Sequence, residues 1–550
     1  MTIVQLNPNL LRSVQPLPEG AGTYRATLEA HGLFQTFQFV LRLSPEVHRR
    51  LASNPGGIVS SGDLQFEQAQ AFSTYLHETV HWWQHIGSTY GLMLSLSYPT
   101  QAHANYTRLK NLIEMVGFKK SVRQLAASSL EGKGPGTPAG EANTIVNNHF
   151  DFSAFRDLTF SHITAKATAE APLFESVGHA FQISYANNLS VLASTVDRAW
   201  STIPHPKEWE EPFRHLRNAK EQGFYYGSPI ELWPLGAREV LEGQACFSQI
   251  QFLHFASGGR LGWDEFKALG ILHGMYLRAF EEFLRQSGLE WPPSIDHPTV
   301  GLFLLICDMA INSGAGFPHR LVHFPSFVTD TDPAARFFML SALVRLKCPE
   351  VANMIRDYSR AEYVEVTEKL ASVLLVDTPL AVANTCAAWA AEGGPFSSLM
   401  GEHRTFRYDP INLPVRVMFS HFLAFMRDKA LTPEIFCWPG AWMAGSRVHA
   451  SVQTLFEHHS ALFVDKEDDD GVFPRLHSDR DIDAVQSMFE SFYAVNVTYD
   501  MTDQWIRLSG PFTYDYRWLS ASGEKPHMKQ FADHHFQSVY GIHPDRVTLL

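Results

Sequence analysis

Two histidines and a glutamate with a chemically informative spacing occur in the segment YLHETVHWWQHIG, residues 75–87. On an α-helix, residues four apart lie on one face, about 6 Å apart along the axis, so the imidazoles of His77 and His81 could bind one metal ion. Glu78 lies about 100° around the helix from His77, where its carboxylate could take a proton from a metal-activated water. The pattern predicts a zinc site with its own general base. The alternative is a face of ordinary histidines, because the chain contains 26 of them.

A catalytic zinc also needs a third protein ligand and an open position for water. His85 is eight residues beyond His77, about 12 Å along a helix, which is too far for both to reach one ion, so we expect a supporting or structural role for it. Glu242 lies in a predicted buried helix within residues 231–249, and a buried carboxylate needs a positively charged partner. We therefore predict Glu242 as the third ligand, with an ion pair to Arg238 as the alternative.

Several other polar residues could support or replace these ligands. Glu239, three residues before Glu242, is expected to hydrogen-bond a ligand histidine. Glu175 is the reserve ligand, although His179, one turn away, could equally form an ordinary pair with it. Asp308 could orient a ligand histidine or belong to a buried polar network. The candidate hydrogen-bond donors to an oxyanion are Tyr225, Tyr226, His179 and Tyr276.

The sequence HETVH on a helix, followed by LEGQA on a later helix, resembles the gluzincin type of zincin metallopeptidase. The resemblance implies His77, His81 and Glu242 as ligands of one Zn²⁺ per chain and Glu78 as general base. It covers these two helices and little else. The 160 residues at positions 82–241 are more than is usual between these ligands, which implies a large inserted helical segment.

Hydrophobic periodicity predicts a mainly α fold with minor β, of the α+β class. Residues 22–43 alternate and predict a β-hairpin, whereas residues 490–519 are aromatic and predict strand-like structure. The acidic residues 465–470 predict an exposed turn. A helical spacing places the HETVH motif on a helix of about six turns that Gly87 ends. Further helices are predicted at roughly 105–128, 170–197, 230–256, 264–288, 298–313, 333–346, 350–376, 380–392 and 413–429.

We predict domain boundaries near residues 62 and 330. Residues 1–62 form an N-terminal β-rich segment. By the resemblance, residues 63–330 form a zincin-like metallopeptidase domain that contains the helical insertion. Residues 331–550 are expected to form a mostly helical C-terminal domain that recognises the substrate or a regulatory protein partner, or that restrains the site.

Composition limits the classes of partner. The chain has 550 residues and a formal net charge of -13, which would repel a phosphate backbone, so nucleic acid is not expected as a partner. No apolar run approaches the roughly 20 residues that cross a bilayer, and residues 1–20 lack a secretory signal, so no membrane is expected either. Five scattered cysteines are typical of a reducing compartment. We expect a cytoplasmic protein.

Two functions are compatible with these residues. The first is a zinc metalloprotease, a hydrolase that cleaves peptide bonds of an intracellular protein or peptide through a zinc-activated water, with Glu78 as general base. The second is a catalytically silent, metal-stabilised binding or regulatory protein that retains the zincin fold. The presence of Glu78 favours the first, because a purely structural zinc site gains nothing from it.

Overall fold

The structure is a computed structural model that describes residues 32–35, 38–52, 66–128, 134, 136–268, 271–469, 471–476, 480–516, 519 and 525–550. Helices account for 67% of the described residues and strands for 3%, which confirms a mainly α fold with minor β. The helices of the described residues are α1 Pro45–Ala52, α2 Phe66–Ile86, α3 Thr89–Val116, α4 Val122–Ser128, α5 Pro138–Phe160, α6 His162–Ala169, α7 Val177–Val196, α8 Glu210–Asn218, α9 Ala237–Ala256, α10 Trp263–Ala268, α11 Met275–Ser287, α12 Pro298–Ile311, α13 Phe327–Thr331, α14 Pro333–Leu346, α15 Arg360–Leu374, α16 Pro379–Ala390, α17 Ser397–Thr405, α18 Leu413–Leu431, α19 Pro433–Cys437, α20 Pro439–Trp442, α21 Ala450–His458, α22 Ile482–Arg507 and α23 Lys525–Tyr540.

The strands are short and form two small sheets. The first sheet has the order β1-β2-β4-β5, and the second pairs β3 with β6 in parallel. In the first sheet β1 pairs antiparallel with β2, and Leu41 of β2 pairs in parallel with Val464 of β4. Strands β1 and β2 thus form a hairpin within the second half of the segment for which one was predicted, while residues 22–31 lie outside the described residues. The strands are β1 Gly32–Gln35, β2 Val40–Leu43, β3 Lys119–Lys120, β4 Phe463–Val464, β5 Phe473–Pro474 and β6 Thr548–Leu549.

The HETVH motif lies on α2, a helix at the centre of the fold. Every residue from 69 to 86 is buried, so α2 is enclosed on all sides rather than on one face. The helix ends at Ile86, as predicted, and the next residue packs tightly: a Cβ on Gly87 would lie 2.3 Å from the ring of Phe425. The polar side chains of α2 are therefore buried, and each needs a partner inside the protein.

Two hydrophobic cores hold the helices together. The main core contains residues from Phe39 to Tyr493 and so includes side chains from all three predicted domains. The smaller core joins α3, α4 and α5 to α22 and α23 around the buried Trp505. The boundaries near 62 and 330 stay predictions.

One sequence prediction near the C-terminal end is wrong, and a second holds only in part. The segment predicted to be strand-like lies largely in α22, whose buried residues Val485, Met488 and Phe492 are spaced by three and four. The acidic turn is not wholly exposed, because Asp465 is buried. Its carboxylate accepts a hydrogen bond from the main-chain N–H of Leu43 and faces the ring of His48 at 2.7 Å. A main-chain donor on β2 and an imidazole on α1 thus hold one end of this turn inside.

Among the described residues, no single helix has both the length and the apolar composition of a membrane span. Helices α15 and α16 reach that composition only when taken together, and they are bent by 104°.

Candidate metal centre

Two neighbouring helices carry the predicted ligands. Helix α2 provides His77 and His81, which point to the same side because they are one turn apart. Helix α9 packs against α2 and provides Glu242. Gly243, the next residue of α9, packs tightly against α11, since a Cβ at this position would lie 3.2 Å from the Cβ of Ala279. The fold therefore brings together groups that are far apart in the sequence.

The three donor atoms have the separations that one tetrahedral ion requires. The Nε2 atoms of His77 and His81 are 3.2 Å apart. Oε2 of Glu242 is 3.6 Å from Nε2 of His77 and 3.3 Å from Nε2 of His81. Ligand atoms about 2.0–2.1 Å from a tetrahedral ion lie about 3.3–3.4 Å from one another. The three residues thus form a group that could bind a metal ion, and among the described residues no fourth donor joins it.

The side chain of Gln84 determines which ring nitrogen of His81 is free for a metal. Its amide nitrogen donates to the main-chain oxygen of Leu241 at 2.9 Å and to Oε1 of Gln244 at 2.8 Å. Its amide oxygen therefore faces His81, at 2.8 Å from Nδ1, and accepts a hydrogen bond from it. In the neutral ring Nδ1 carries the proton, so Nε2 directs its lone pair towards the other two donors. The sequence analysis missed Gln84, although it is three residues from His81 on the same helix.

Burial and charge act in opposite directions on the donors. Burial lowers the pKa of His81, but the carboxylate of Glu242 outweighs burial and raises that pKa to about 9. Burial also tends to raise the pKa of Glu242, but the two imidazoles hold it well below its usual range. The carboxylate is therefore ionised at neutral pH, and the space between the donors favours a positive charge.

Glu78 lies beside the three donors and is not one of them. Its carboxylate interacts electrostatically with all three and accepts a hydrogen bond from the main-chain N–H of Phe34 in β1. Burial raises the pKa of Glu78, and the charge of Glu242 raises it further against the opposing effect of the imidazoles. A carboxyl group beside the proposed ligands whose pKa is raised above its usual value is suited to accept a proton and release it again.

Tyr276 is the candidate oxyanion donor that lies next to the metal-binding group. Its ring centroid is 6.0 Å from that of His77. Burial raises the pKa of Tyr276, and the charges of Glu242 and Glu78 raise it further. The hydroxyl group therefore stays protonated and can donate a hydrogen bond.

The other candidate donors and the reserve ligand have no described contact with the metal-binding group. Tyr226 is 77% exposed, and Tyr225 is half-buried. Nε2 of His179 is 3.2 Å from a carboxylate oxygen of Asp151 and 3.6 Å from one of Glu175. Glu175 thus pairs with His179, as its alternative predicted, although it lies just before α7 begins.

Two residues predicted to support the ligands have other partners. The carboxylate of Glu239 accepts a hydrogen bond from the main-chain N–H of Gly236 at 2.8 Å and closes the first turn of α9. It takes no described hydrogen bond from a ligand histidine, and that supporting contact comes from Gln84 instead. Nδ1 of His85 donates to the main-chain oxygen of His81 at 2.8 Å, and the ring lies outside the donor group, as its distance along the helix predicted.

Asp308 belongs to a buried polar network, the second of its two predicted roles. One carboxylate oxygen is 2.5 Å from Nζ of Lys429. The other accepts a hydrogen bond from the hydroxyl of Tyr363 at 2.7 Å. The proposed ion pair between Glu242 and Arg238 is not among the described contacts: the guanidinium donates to Sδ of Met275 instead, at 3.1 Å.

Comparisons with protein-family models, with curated proteins and with solved structures give no match to this chain. The geometry and charges of the candidate metal centre are therefore the basis for proposing a function.

Proposed function

We propose that the chain is a zinc-dependent peptidase that cleaves peptide bonds of an intracellular protein or peptide. The convergence of His77, His81 and Glu242 at the edge lengths of one coordination tetrahedron carries the proposal. Two imidazoles and one carboxylate are a ligand set that suits zinc, and a catalytic zinc typically has three protein ligands. When bound there, zinc would supply a Lewis acid that activates water and polarises a carbonyl group.

Glu78 would perform the proton transfers. In this proposal its carboxylate accepts a proton from the attacking water and then passes it to the nitrogen of the leaving amine. Its raised pKa supports both steps, because a group that titrates nearer to neutral pH accepts and donates protons efficiently. The hydrogen bond from the N–H of Phe34 supports the role by holding the carboxylate in place.

Tyr276 would stabilise the carbonyl oxygen as negative charge develops on it. A hydroxyl that is partly shielded from water and stays protonated is an effective donor to an oxyanion. We propose that a substrate approaches from the side of Glu242, because its side chain is 24% exposed, compared with 10% for His77 and 11% for His81.

The test compares wild type with Glu78→Gln and with Glu175→Gln as a matched control. The control loses a carboxylate that lies against His179 and has no described contact with the donors. Each purified protein is assayed for bound zinc, and the proteomes of cells expressing each form are compared for cleaved peptide ends. We expect all three forms to bind one zinc, and only Glu78→Gln to lose the cleavage products.

Two outcomes would contradict the proposal. Absence of zinc from the wild type, or its retention in His77→Ala, would remove the metal site. Equal cleavage patterns in wild type and Glu78→Gln, with zinc bound in both, would favour the alternative of a metal-stabilised binding protein.

A further inference from the structure

Arg238 occupies a position where a positive charge does not stabilise its own helix. It is the second residue of α9, which begins at Ala237. The N-terminal end of a helix carries a partial positive charge, so a basic side chain in the first turn is unfavourable there. Helix stability therefore does not explain an arginine at this position.

The guanidinium of Arg238 also has no carboxylate partner among the described residues. Its described hydrogen bond goes from Nη2 to Sδ of Met275 at 3.1 Å. A thioether sulfur is a weak acceptor, and a half-buried guanidinium would gain more from an anion. Four of its five N–H groups remain available for an incoming acceptor.

This guanidinium lies next to the candidate metal centre. Met275 is the first residue of α11, and the following residue, Tyr276, packs against His77. The charge of Arg238 acts on the hydroxyl of Tyr276, which also interacts with Glu78. The guanidinium of Arg238 is therefore within electrostatic range of the proposed oxyanion donor.

Other positive groups lie close to Arg238. The first turns of α9 and α11 meet here, and the N-terminal ends of both helices carry partial positive charge. Arg278, in the first turn of α11, donates to the main-chain oxygen of Pro234, just before α9 begins. Two helix ends and two guanidinium groups thus lie together at the start of α9, where the carboxylate of Glu239 is already held by the N–H of Gly236.

We propose that Arg238 binds a carboxylate of the substrate, so that the site takes peptides with a carboxylate close to the scissile bond. This inference rests on the proposed peptidase function and names its substrate class. The planar guanidinium matches a carboxylate in a two-point hydrogen bond, which fixes orientation as well as adding affinity. The carboxylate is either the free C-terminus of the peptide or the side chain of Asp or Glu.

The experiment measures binding, independently of turnover. Zinc-loaded Glu78→Gln protein is immobilised and exposed to two synthetic peptide libraries that are identical except for a free carboxylate or a carboxamide at the C-terminus. Retained peptides are identified by mass spectrometry. Enrichment of the free-carboxylate library identifies the C-terminus as the bound group, whereas enrichment of Asp or Glu in both libraries identifies the side chain. Either result supports the inference.

The variant Arg238→Gln, made in the Glu78→Gln background, tests the residue. Charge-assisted hydrogen bonds typically contribute enough for its loss to reduce the affinity for the enriched peptides by roughly ten- to a hundredfold. Arg278→Gln removes the same charge nearby, but its guanidinium is held by Pro234, so we expect a much smaller loss. Arg238→Lys, which keeps the charge without the planar fork, should be intermediate.

The zinc content and the melting temperature of each variant serve as controls for correct folding. Because Arg238→Gln removes a positive charge from a helix N-terminus, we expect its melting temperature to be no lower than that of its parent. Enrichment without any carboxylate preference, or a preference that survives Arg238→Gln, overturns the inference and leaves the peptidase proposal standing. Carboxylate-dependent binding by a wild type that cleaves nothing supports the inference and overturns the peptidase. If zinc is bound but no peptide is retained, the inference falls, and the peptidase proposal is decided by the comparison of cleavage products.

Discussion

Replacing Gln84 with leucine should weaken zinc binding without removing any ligand. The substitution removes the acceptor that faces Nδ1 of His81 at 2.8 Å, and with it the contact that fixes the ring and its tautomer. It also leaves Oε1 of Gln244 without the donor 2.8 Å away. Loss of such a supporting contact typically costs 10- to 100-fold in metal affinity, which is about 1.4–2.7 kcal/mol.

The matched control for this prediction is Gln249→Leu. Gln249 is also buried and bridges the same two helices, because its amide nitrogen donates to Oγ of Ser73 on α2 at 3.2 Å. It has no described contact with a ligand. Both variants therefore lose a polar bridge between α9 and α2, but only Gln84→Leu should lose metal affinity.

The assay is competition for Zn²⁺ between each protein and a chromophoric chelator, with the free energy of unfolding of each zinc-free protein measured in urea. We expect both zinc-free proteins to be destabilised to a similar extent and the zinc affinities to differ by at least tenfold. Equal zinc affinities in the two variants would show that the contact between Gln84 and His81 does not prepare the site for a metal.

Two further predictions concern buried charges away from the metal-binding group. Burial raises the pKa of Asp332 to about 7, against the hydrogen bonds from Ala334 and Ala335, so the folded state holds this proton more tightly than the unfolded state. As pH rises from 4 to 8, the free energy of unfolding of wild type should therefore fall by up to about 4 kcal/mol more than that of Asp332→Asn. Asparagine keeps the helix cap and does not titrate. Urea unfolding at several pH values measures the difference, and parallel profiles would contradict the reasoning. Lys429→Met removes the cation that pairs with Asp308 at 2.5 Å, and should cost about 3–5 kcal/mol because it leaves a buried carboxylate unpaired. The double variant Lys429→Met, Asp308→Asn should recover part of this loss, and a double variant no more stable than Lys429→Met would refute that explanation.

Helices with a regular apolar spacing could be predicted from the sequence, whereas α22 could not. The helix predicted at residues 333–346 coincides with α14, because apolar residues recur along the whole segment and Pro333 starts the helix. In α22 the aromatic and β-branched residues favoured a strand by composition. Packing against α3 and α23 stabilises the helix instead, and those contacts are made by residues far away in the sequence.

In the candidate site, too, some positions could be predicted from local spacing and others depend on how the helices pack. The relation between His77 and His81 is fixed by one turn of helix, so local spacing was sufficient to find it. Glu242 was suggested by its place within an apolar helix, but its distance from the histidines depends on how α9 packs against α2. Gln84 could have been found from its spacing of three residues from His81, although its amide orientation is set by α9.

The position where α9 begins explains why the partners predicted for Glu239 and Arg238 differ from those in the structure. A helix starting near residue 230 would place both in its middle, where Arg238 could pair with Glu242 one turn later. The helix instead begins at Ala237, and a Cβ on Gly236 would lie 2.4 Å from the main-chain oxygen of Phe160, so the chain passes too closely there for a larger residue. This start makes Glu239 the cap of the first turn, and it leaves Arg238 at the positive end of the helix, where no carboxylate of the described residues pairs with it.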